Sequence, residues 1–284
     1  MKKVLVTGST GYIGHWISHV LNKDYNVIGL SRRKEKTDFK LINCDLLKNL
    51  PIIDFDILIH VAAMTDITEC EEKPKQAKKV NVDGTKKLLE MAKENNVDRI
   101  VYISTGTVYA PTIDPINEDF KINPVNIYGK TKYQAEKIVQ SYSSNFPATT
   151  LRLFFPYGPN THPNKLISRL IKMVNMGEAI LLNQGNRPLF NPIYITDLID
   201  LVKLVLESSN PGYEVFNAGG GETVDIKQLG EIIGKVLEKK VTFEESDKDS
   251  SNYIALIEKA RKKLGFKPVI KIEEGIRRSI NGIF

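Results

Sequence analysis

Tyr128 and Lys132 stand four residues apart in the run Asn126-Ile127-Tyr128-Gly129-Lys130-Thr131-Lys132. On a helix that spacing puts both side chains on one face, about 5–6 Å apart at Cβ. A phenol beside a fixed ammonium is a poised acid/base. Tyr ordinarily loses its proton near pH ~10, and a positive neighbour favours the phenolate and lowers that value. Alone, the pair describes a solvated helix face equally well. Its weight comes from a glycine-rich turn that opens at Gly8 and from Ser104-Thr105, which ends an apolar run ahead of the Tyr.

Thr7-Gly8-Ser9-Thr10-Gly11-Tyr12-Ile13-Gly14 follows an apolar strand directly and opens a helical period. Glycines there allow a tight turn, close approach of backbone to a pyrophosphate, and packing of the helix on a sheet. The G-x-x-G-x-x-G spacing differs from the commonest fingerprint, but its place at the head of a β/α alternation points to a dinucleotide site. Cofactor choice turns on the next strand, which ends Gly29-Leu30-Ser31-Arg32-Arg33 with no carboxylate for the adenosine ribose. Ser31, Arg32 and Arg33 suit a phosphate, so NADP is expected over NAD. The alternative is that both arginines are solvated and Glu35 or Asp38 folds back to an NAD ribose.

The elements that must position these groups show as alternating short apolar runs and helical periods. Strands are expected at Lys3–Thr7, Asn26–Leu30, Leu41–Cys44, Ile57–Val61, Arg99–Ser104 and Thr149–Leu153. Helices are expected at Tyr12–Asn22, Lys75–Glu94 and Tyr128–Tyr142. Unbroken apolar strands alternating with helices indicate an α/β, Rossmann-like doubly wound parallel sheet covered on both faces. Past Phe155-Pro156-Tyr157-Gly158-Pro159 the rhythm loosens. Helices near Leu166–Asn175, Thr196–Glu207 and Asp225–Leu237 alternate with strands at Ile180–Leu182, Ile193–Ile195 and Glu214–Asn217. The expected division is residues 1–155 for the cofactor and 156–284 for a smaller mixed α/β substrate lobe interleaved with the sheet. Ile257–Phe284 is basic and reads as helical at both ends.

The 284 residues suffice for a full core, and 42% hydrophobic with 26% charged residues is ordinary for a globular protein. The net charge of +6 is spread along the chain, which fits an anionic small ligand or plain solubility and gives no reason to invoke nucleic acid. Cys44, Cys70 and the histidines form no disulfide framework and no metal-ligand spacing. No apolar stretch is long enough for a membrane span, and a reducing cytoplasm is expected.

Together these segments resemble the extended short-chain dehydrogenase/reductase superfamily, in its nucleotide-sugar epimerase/dehydratase/reductase branch. The carriers are the Thr7–Gly14 loop, Asp45-Leu46, His60-Val61-Ala62-Ala63, Asn81-Val82-Asp83-Gly84-Thr85, Ser104–Tyr109, Tyr128–Lys132, Leu151–Pro159 and the closing Lys263–Pro268. The resemblance implies that Gly8, Gly11, Tyr12, Ile13 and Gly14 hold the pyrophosphate. Asp45 and Leu46 would meet the adenine, and Ala62, Ala63, Thr65 and Ser104 would line the cofactor cleft. Asn81 would support the active-site helix and the cofactor. Thr105 would hold the substrate oxygen, Tyr128 would exchange its proton, Lys132 would bind the nicotinamide ribose, and Phe154 would sit beside the nicotinamide. His60 is expected to be a strand-end residue outside the catalytic set. Phe155 stands where many members carry a substrate-binding Asn, and Phe190 where many carry a phosphate-clamping Arg, with Arg187 three residues early.

The implied chemistry is hydride exchange between a sugar carbon and a nicotinamide, with Tyr128 moving the oxygen's proton. Epimerase and 4-keto-sugar reductase both remain open. Dehydration is disfavoured, because Gly106-Thr107 replaces the Asp-Glu pair usual in dehydratases. A non-catalytic dinucleotide-binding regulator and a reductase of a non-sugar carbonyl are the alternatives. The resemblance also implies a homodimer through the Lys75–Glu94 and Tyr128–Tyr142 helices.

Overall fold

The computed structural model describes residues 1–184 and 188–284. Among the described residues seven strands form one sheet in the order β3-β2-β1-β4-β5-β6-β8. They are β1 Lys3–Thr7, β2 Asn26–Ser31, β3 Lys40–Asn43, β4 Ile57–His60, β5 Arg99–Thr105, β6 Ala148–Leu153 and β8 Tyr213–Ala218. The β1–β2, β1–β4, β2–β3 and β4–β5 pairings are parallel. The chain runs outward from β1 through β2 to β3, then returns to β4 on the other side of β1. That reversal is the switch point where open α/β sheets take their ligands, and the glycine turn leaves β1 at that point.

The chain forms two compact units. The first comprises residues 1–110, 121–152 and 202–216. Its core joins Leu5, Ile28, Leu30, Leu58 and Ile100 of the strands with Leu88, Leu89, Ala135 and Val139 of the helices. Strands apolar on both faces need helices on both faces, here including α1 Tyr12–Leu21, α4 Gly84–Glu94 and α5 Ile127–Ser141.

The second unit comprises residues 111–120, 153–201 and 217–284. It holds α6 Leu166–Met176, α8 Ile226–Leu237, α9 Glu258–Leu264, α10 Ile272–Asn281 and a parallel ribbon of β7 Ile180–Leu182 with β9 Phe243–Glu245. The side-chain amide of Asn191 ties this unit together, donating to Gly220 O and Ala255 O while its oxygen accepts from Ala255 N. α8 begins with a reciprocal capping box between Asp225 and Gln228.

Two expected elements differ. Ile193–Ile195 is no strand: Pro192 lacks an N–H, Tyr194 makes a single bridge to Tyr157, and Ile195 already opens α7 Ile195–Glu207. The expected helix over 75–94 is not uniform. α3 Pro74–Lys78 passes into a π-helical turn at Lys79–Asp83 before α4. A short helix, α2 Ile67–Glu72, precedes it, with Asp66 accepting from Glu69 N at its start.

Candidate active site

Thr105 closes β5 and Tyr128 lies in the first turn of α5. Asn126 caps that turn, its Oδ1 accepting from Gly129 N at 2.7 Å. A Cβ on Gly129 would lie 2.5 Å from Thr107 O and 2.9 Å from Pro124 Cβ, so only glycine lets α5 press this close to the segment after β5. The approach brings the Tyr128 phenol beside the Thr105 hydroxyl, near enough for that hydroxyl to favour the phenolate. Thr105 Oγ1 also accepts from Thr107 N at 3.2 Å.

Tyr128 remains partly exposed as a residue, yet the surroundings of its hydroxyl exclude enough water to push its pKa up to about 12; the Thr105 hydroxyl works against that rise. The sequence predicted the opposite direction. Desolvation of the phenol is the reason; the buried Nζ of Lys132 donates instead to Ile103 O at 2.6 Å and lies 4.2 Å from the centroid of the Tyr102 ring. Burial lowers its own pKa to about 7, with Glu136 opposing. An ammonium has three protons to donate, so this one retains capacity for a further acceptor.

At the switch point, Gly8 has φ +67° and a Cβ there would come 2.9 Å from the backbone of Ala62. Gly11 caps α1 without a side-chain acceptor, and no acidic residue occupies the first turn. The amides of Ile13 and Gly14 therefore face an anion-compatible helix end. A glycine cradle, an uncapped helix start and a buried lysine together fit a dinucleotide. Ser31 Oγ meets Thr10 Oγ1 at 2.5 Å and accepts from Arg33 N at 3.1 Å, while the Arg32 and Arg33 side chains are exposed. Asp38 is held by His19 Nδ1 at 2.6 Å. Asp45 accepts from Leu47 N at 3.0 Å, closing a turn; Leu46 is buried, Ala62 and Ala63 are half-buried, and Thr65 is exposed.

Asn81 sits in the π-helical turn, a feature that recurs at functional sites. Its amide brackets Met64, accepting from Met64 N at 2.7 Å and donating to Met64 O at 3.0 Å. It also donates to Thr131 Oγ1 at 3.0 Å. Thr131 in turn donates to Tyr128 O. Asn81 is thus linked to α5 through Thr131.

Sequence reasoning missed two buried groupings. One joins His60 to Thr7 Oγ1 at 2.7 Å and to Thr85 Oγ1 at 2.9 Å. The other is a salt bridge from Arg152 Nη2 to Glu136 Oε2 at 2.8 Å, to which Ser104 Oγ adds a 2.5 Å bond on Oε1 and Tyr109 OH a 2.8 Å bond from Arg152. Burial would lower the guanidinium's pKa, and Glu136 more than reverses that. The Ser104 hydroxyl, expected in the cofactor cleft, is therefore turned to Glu136.

In the second unit Phe154 is buried, its N–H bonded to Ala218 O. Phe155 adopts φ +45°, and its ring lies 4.9 Å from that of fully buried Phe190 and 5.7 Å from that of Tyr253. Arg187 lies outside the described residues.

A switch-point glycine turn, a Thr–Tyr hydroxyl pair and a buried lysine on one parallel sheet define a dinucleotide-dependent α/β enzyme. The chain belongs to the NAD dependent epimerase/dehydratase family, which it matches over residues 4–219. It is 30% identical to UDP-glucuronate 4-epimerase of Thermodesulfobacterium geofontis, over 98% of this chain and 94% of that one. The structure of Bacillus cereus UDP-glucuronic acid 4-epimerase in complex with UDP-glucuronic acid and NAD superposes with a TM-score of 0.89 at 27% identity, covering 99% and 98% of the two chains. MoeE5 in complex with UDP-glucuronic acid and NAD gives the same TM-score at 25% identity and the same coverage. The nucleotide-sugar enzyme reading of the sequence agrees with these relatives, and the NADP expectation does not. The neighbours hold NAD, and Arg32 and Arg33 are exposed turn charges here rather than a formed phosphate site.

Proposed function

We propose that this protein is an NAD-dependent epimerase of a UDP-linked sugar. The Thr105–Tyr128 hydroxyl pair carries the reading, because it presents two adjoining groups to a single substrate oxygen. When bound, NAD supplies a hydride acceptor and donor at the nicotinamide ring. Thr105 holds the sugar oxygen, and Tyr128 takes and returns its proton. Lys132 donates to the ribose next to the nicotinamide. Gly8, Gly11, Tyr12, Ile13 and Gly14 hold the pyrophosphate, and Asp45, Leu46, Ala62, Ala63, Thr65 and Ser31 line the rest of the cofactor's path. Epimerisation is favoured over reduction by the names of the relatives above, two of which are 4-epimerases.

The proposal extends to a homodimer through α4 and α5, to a cytoplasmic setting in keeping with two free cysteines, and to a functional division near residue 155. Among the described residues no helix is long and apolar enough to cross a membrane. The test is incubation with NAD and a panel of UDP-hexoses and UDP-hexuronic acids, followed by NMR of the ring protons. Interconversion at one carbon without accumulation of NADH is expected. Stoichiometric NADH formation, or no reaction with any member of the panel, would overturn it.

A further inference from the structure

β4 lies between β1, which carries the glycine turn, and β5, which carries Thr105. His60 ends β4 and is 2% exposed, and its proton positions follow from its partners. Thr7 Oγ1 accepts from Val61 N and Ala62 N, both at 3.1 Å, so its single proton goes to His60 Nδ1. Thr85 Oγ1 gives its proton to Asn81 O at 2.7 Å, so it accepts from His60 Nε2–H. The imidazole is neutral, with the proton on Nε2. Burial, reinforced by the charge of Lys132, keeps it so, lowering its pKa to about 3.

These directional bonds form a path in two stretches, joined covalently within Asn81 between its main-chain carbonyl and its side-chain amide. It starts at Thr7, one residue before the glycine turn, and crosses His60 and Thr85 to the Asn81 carbonyl. From the Asn81 amide it continues to Thr131 and the Tyr128 carbonyl at 2.9 Å. Each hydroxyl on it has its proton committed, so a shift at one end changes the partners of the next group.

We infer that His60 is a positioning residue that couples the pyrophosphate loop at Thr7-Gly8 to the helix carrying Tyr128, through the Thr7–His60–Thr85–Asn81–Thr131 hydrogen-bond chain. Occupation of the loop is thereby felt at the first turn of α5 without direct contact. The inference rests on the dinucleotide reading above, but not on which sugar is turned over.

The test uses ADP, which carries the pyrophosphate of NAD without the nicotinamide half. ADP affinity is measured by calorimetry, and amide hydrogen exchange is followed over residues 126–132 with and without ADP. In the native chain ADP is expected to slow exchange there. His60→Phe keeps an aromatic ring and removes both nitrogens, and the slowing should be lost even at saturating ADP. His60→Gln offers an acceptor and a donor and should restore it. Thr85→Val breaks the path one link further from the loop and should lose the slowing while retaining native ADP affinity, which covers a His60→Phe chain that fails to fold. Unchanged slowing in ADP-bound Thr85→Val or His60→Phe would overturn the coupling alone. A native chain that does not bind ADP would overturn the cofactor reading and the coupling with it.

Discussion

The ammonium of Lys132 rests 4.2 Å from the centroid of the Tyr102 ring, with Ile103 O as its hydrogen-bond acceptor. A carbonyl and an aromatic face only partly replace water around this charge, so its pKa falls from the usual lysine range to about 7.

That depression has a stability consequence with a definite sign. Between about pH 7 and about 10.5 the unfolded chain holds a proton on Lys132 that the folded chain has released, so stability rises with pH across this window. The slope from this one group is about 1.4 kcal/mol per pH unit. Urea unfolding at pH 7.5, 8.5 and 9.5 should show the rise in the native chain and a flatter profile in Lys132→Met. Equal profiles would mean the lysine is charged in the fold.

Tyr128→Phe should leave NAD affinity close to native, because only a hydroxyl is removed. Turnover of the UDP-sugar substrate should fall by about 10²–10⁴. Thr105→Val should lower turnover too, and the double variant should lose less than the product of the two single effects, since both hydroxyls address one oxygen. Steady-state kinetics on the three variants checks this, and near-native turnover in Tyr128→Phe would remove it from the mechanism.

Arg152→Met should cost about 3–5 kcal/mol, the usual effect of leaving one member of a buried pair without its partner. Glu136 would keep Ser104 as a donor but lose the guanidinium. Denaturant unfolding measures it. Replacing both, Glu136→Leu with Arg152→Met, should recover much of the loss.

Phe155 holds a left-handed backbone that costs a bulky residue about 1–3 kcal/mol. Its contacts with Phe190 and Tyr253 return about 0.5–1.5 kcal/mol each. Phe155→Asn gives up the rings and relieves the backbone, so its stability should lie within about 1 kcal/mol of native. Phe155→Val gives up the rings and worsens the backbone, and should be clearly the less stable of the two by thermal unfolding.

The sheet was legible because its strands are buried on both faces and so appear as unbroken apolar runs, as in Ile57–His60 and Arg99–Thr105. Ile193–Ile195 has the same appearance and is not a strand, since three apolar residues serve a helix start equally well. α2 carries no apolar period; its one signal, Asp66 three residues before Glu69, is a capping pattern. In the site, spacing correctly placed Tyr128 and Lys132 in one helix. It could not show that the lysine would turn to Ile103 O, because that acceptor belongs to another strand. His60 and the Glu136–Arg152 bridge were invisible for the same reason: their partners are distant in sequence. The two arginines after β2 illustrate the converse, residue types suited to a phosphate without the surrounding geometry that would fix them.

The π-helical turn at Lys79–Asp83 sets the rotational phase of everything after it. Each helical residue advances the side-chain direction by roughly 100°, so deleting one residue between Asn81 and Thr85 would swing the Thr85 hydroxyl by about that angle relative to Asn81. The surplus residue works as a spacer that lets one amide reach back to Met64 and across to Thr131, while the hydroxyl four positions later still meets His60. Chain length within this single turn is therefore under tighter constraint than the identity of its exposed side chains.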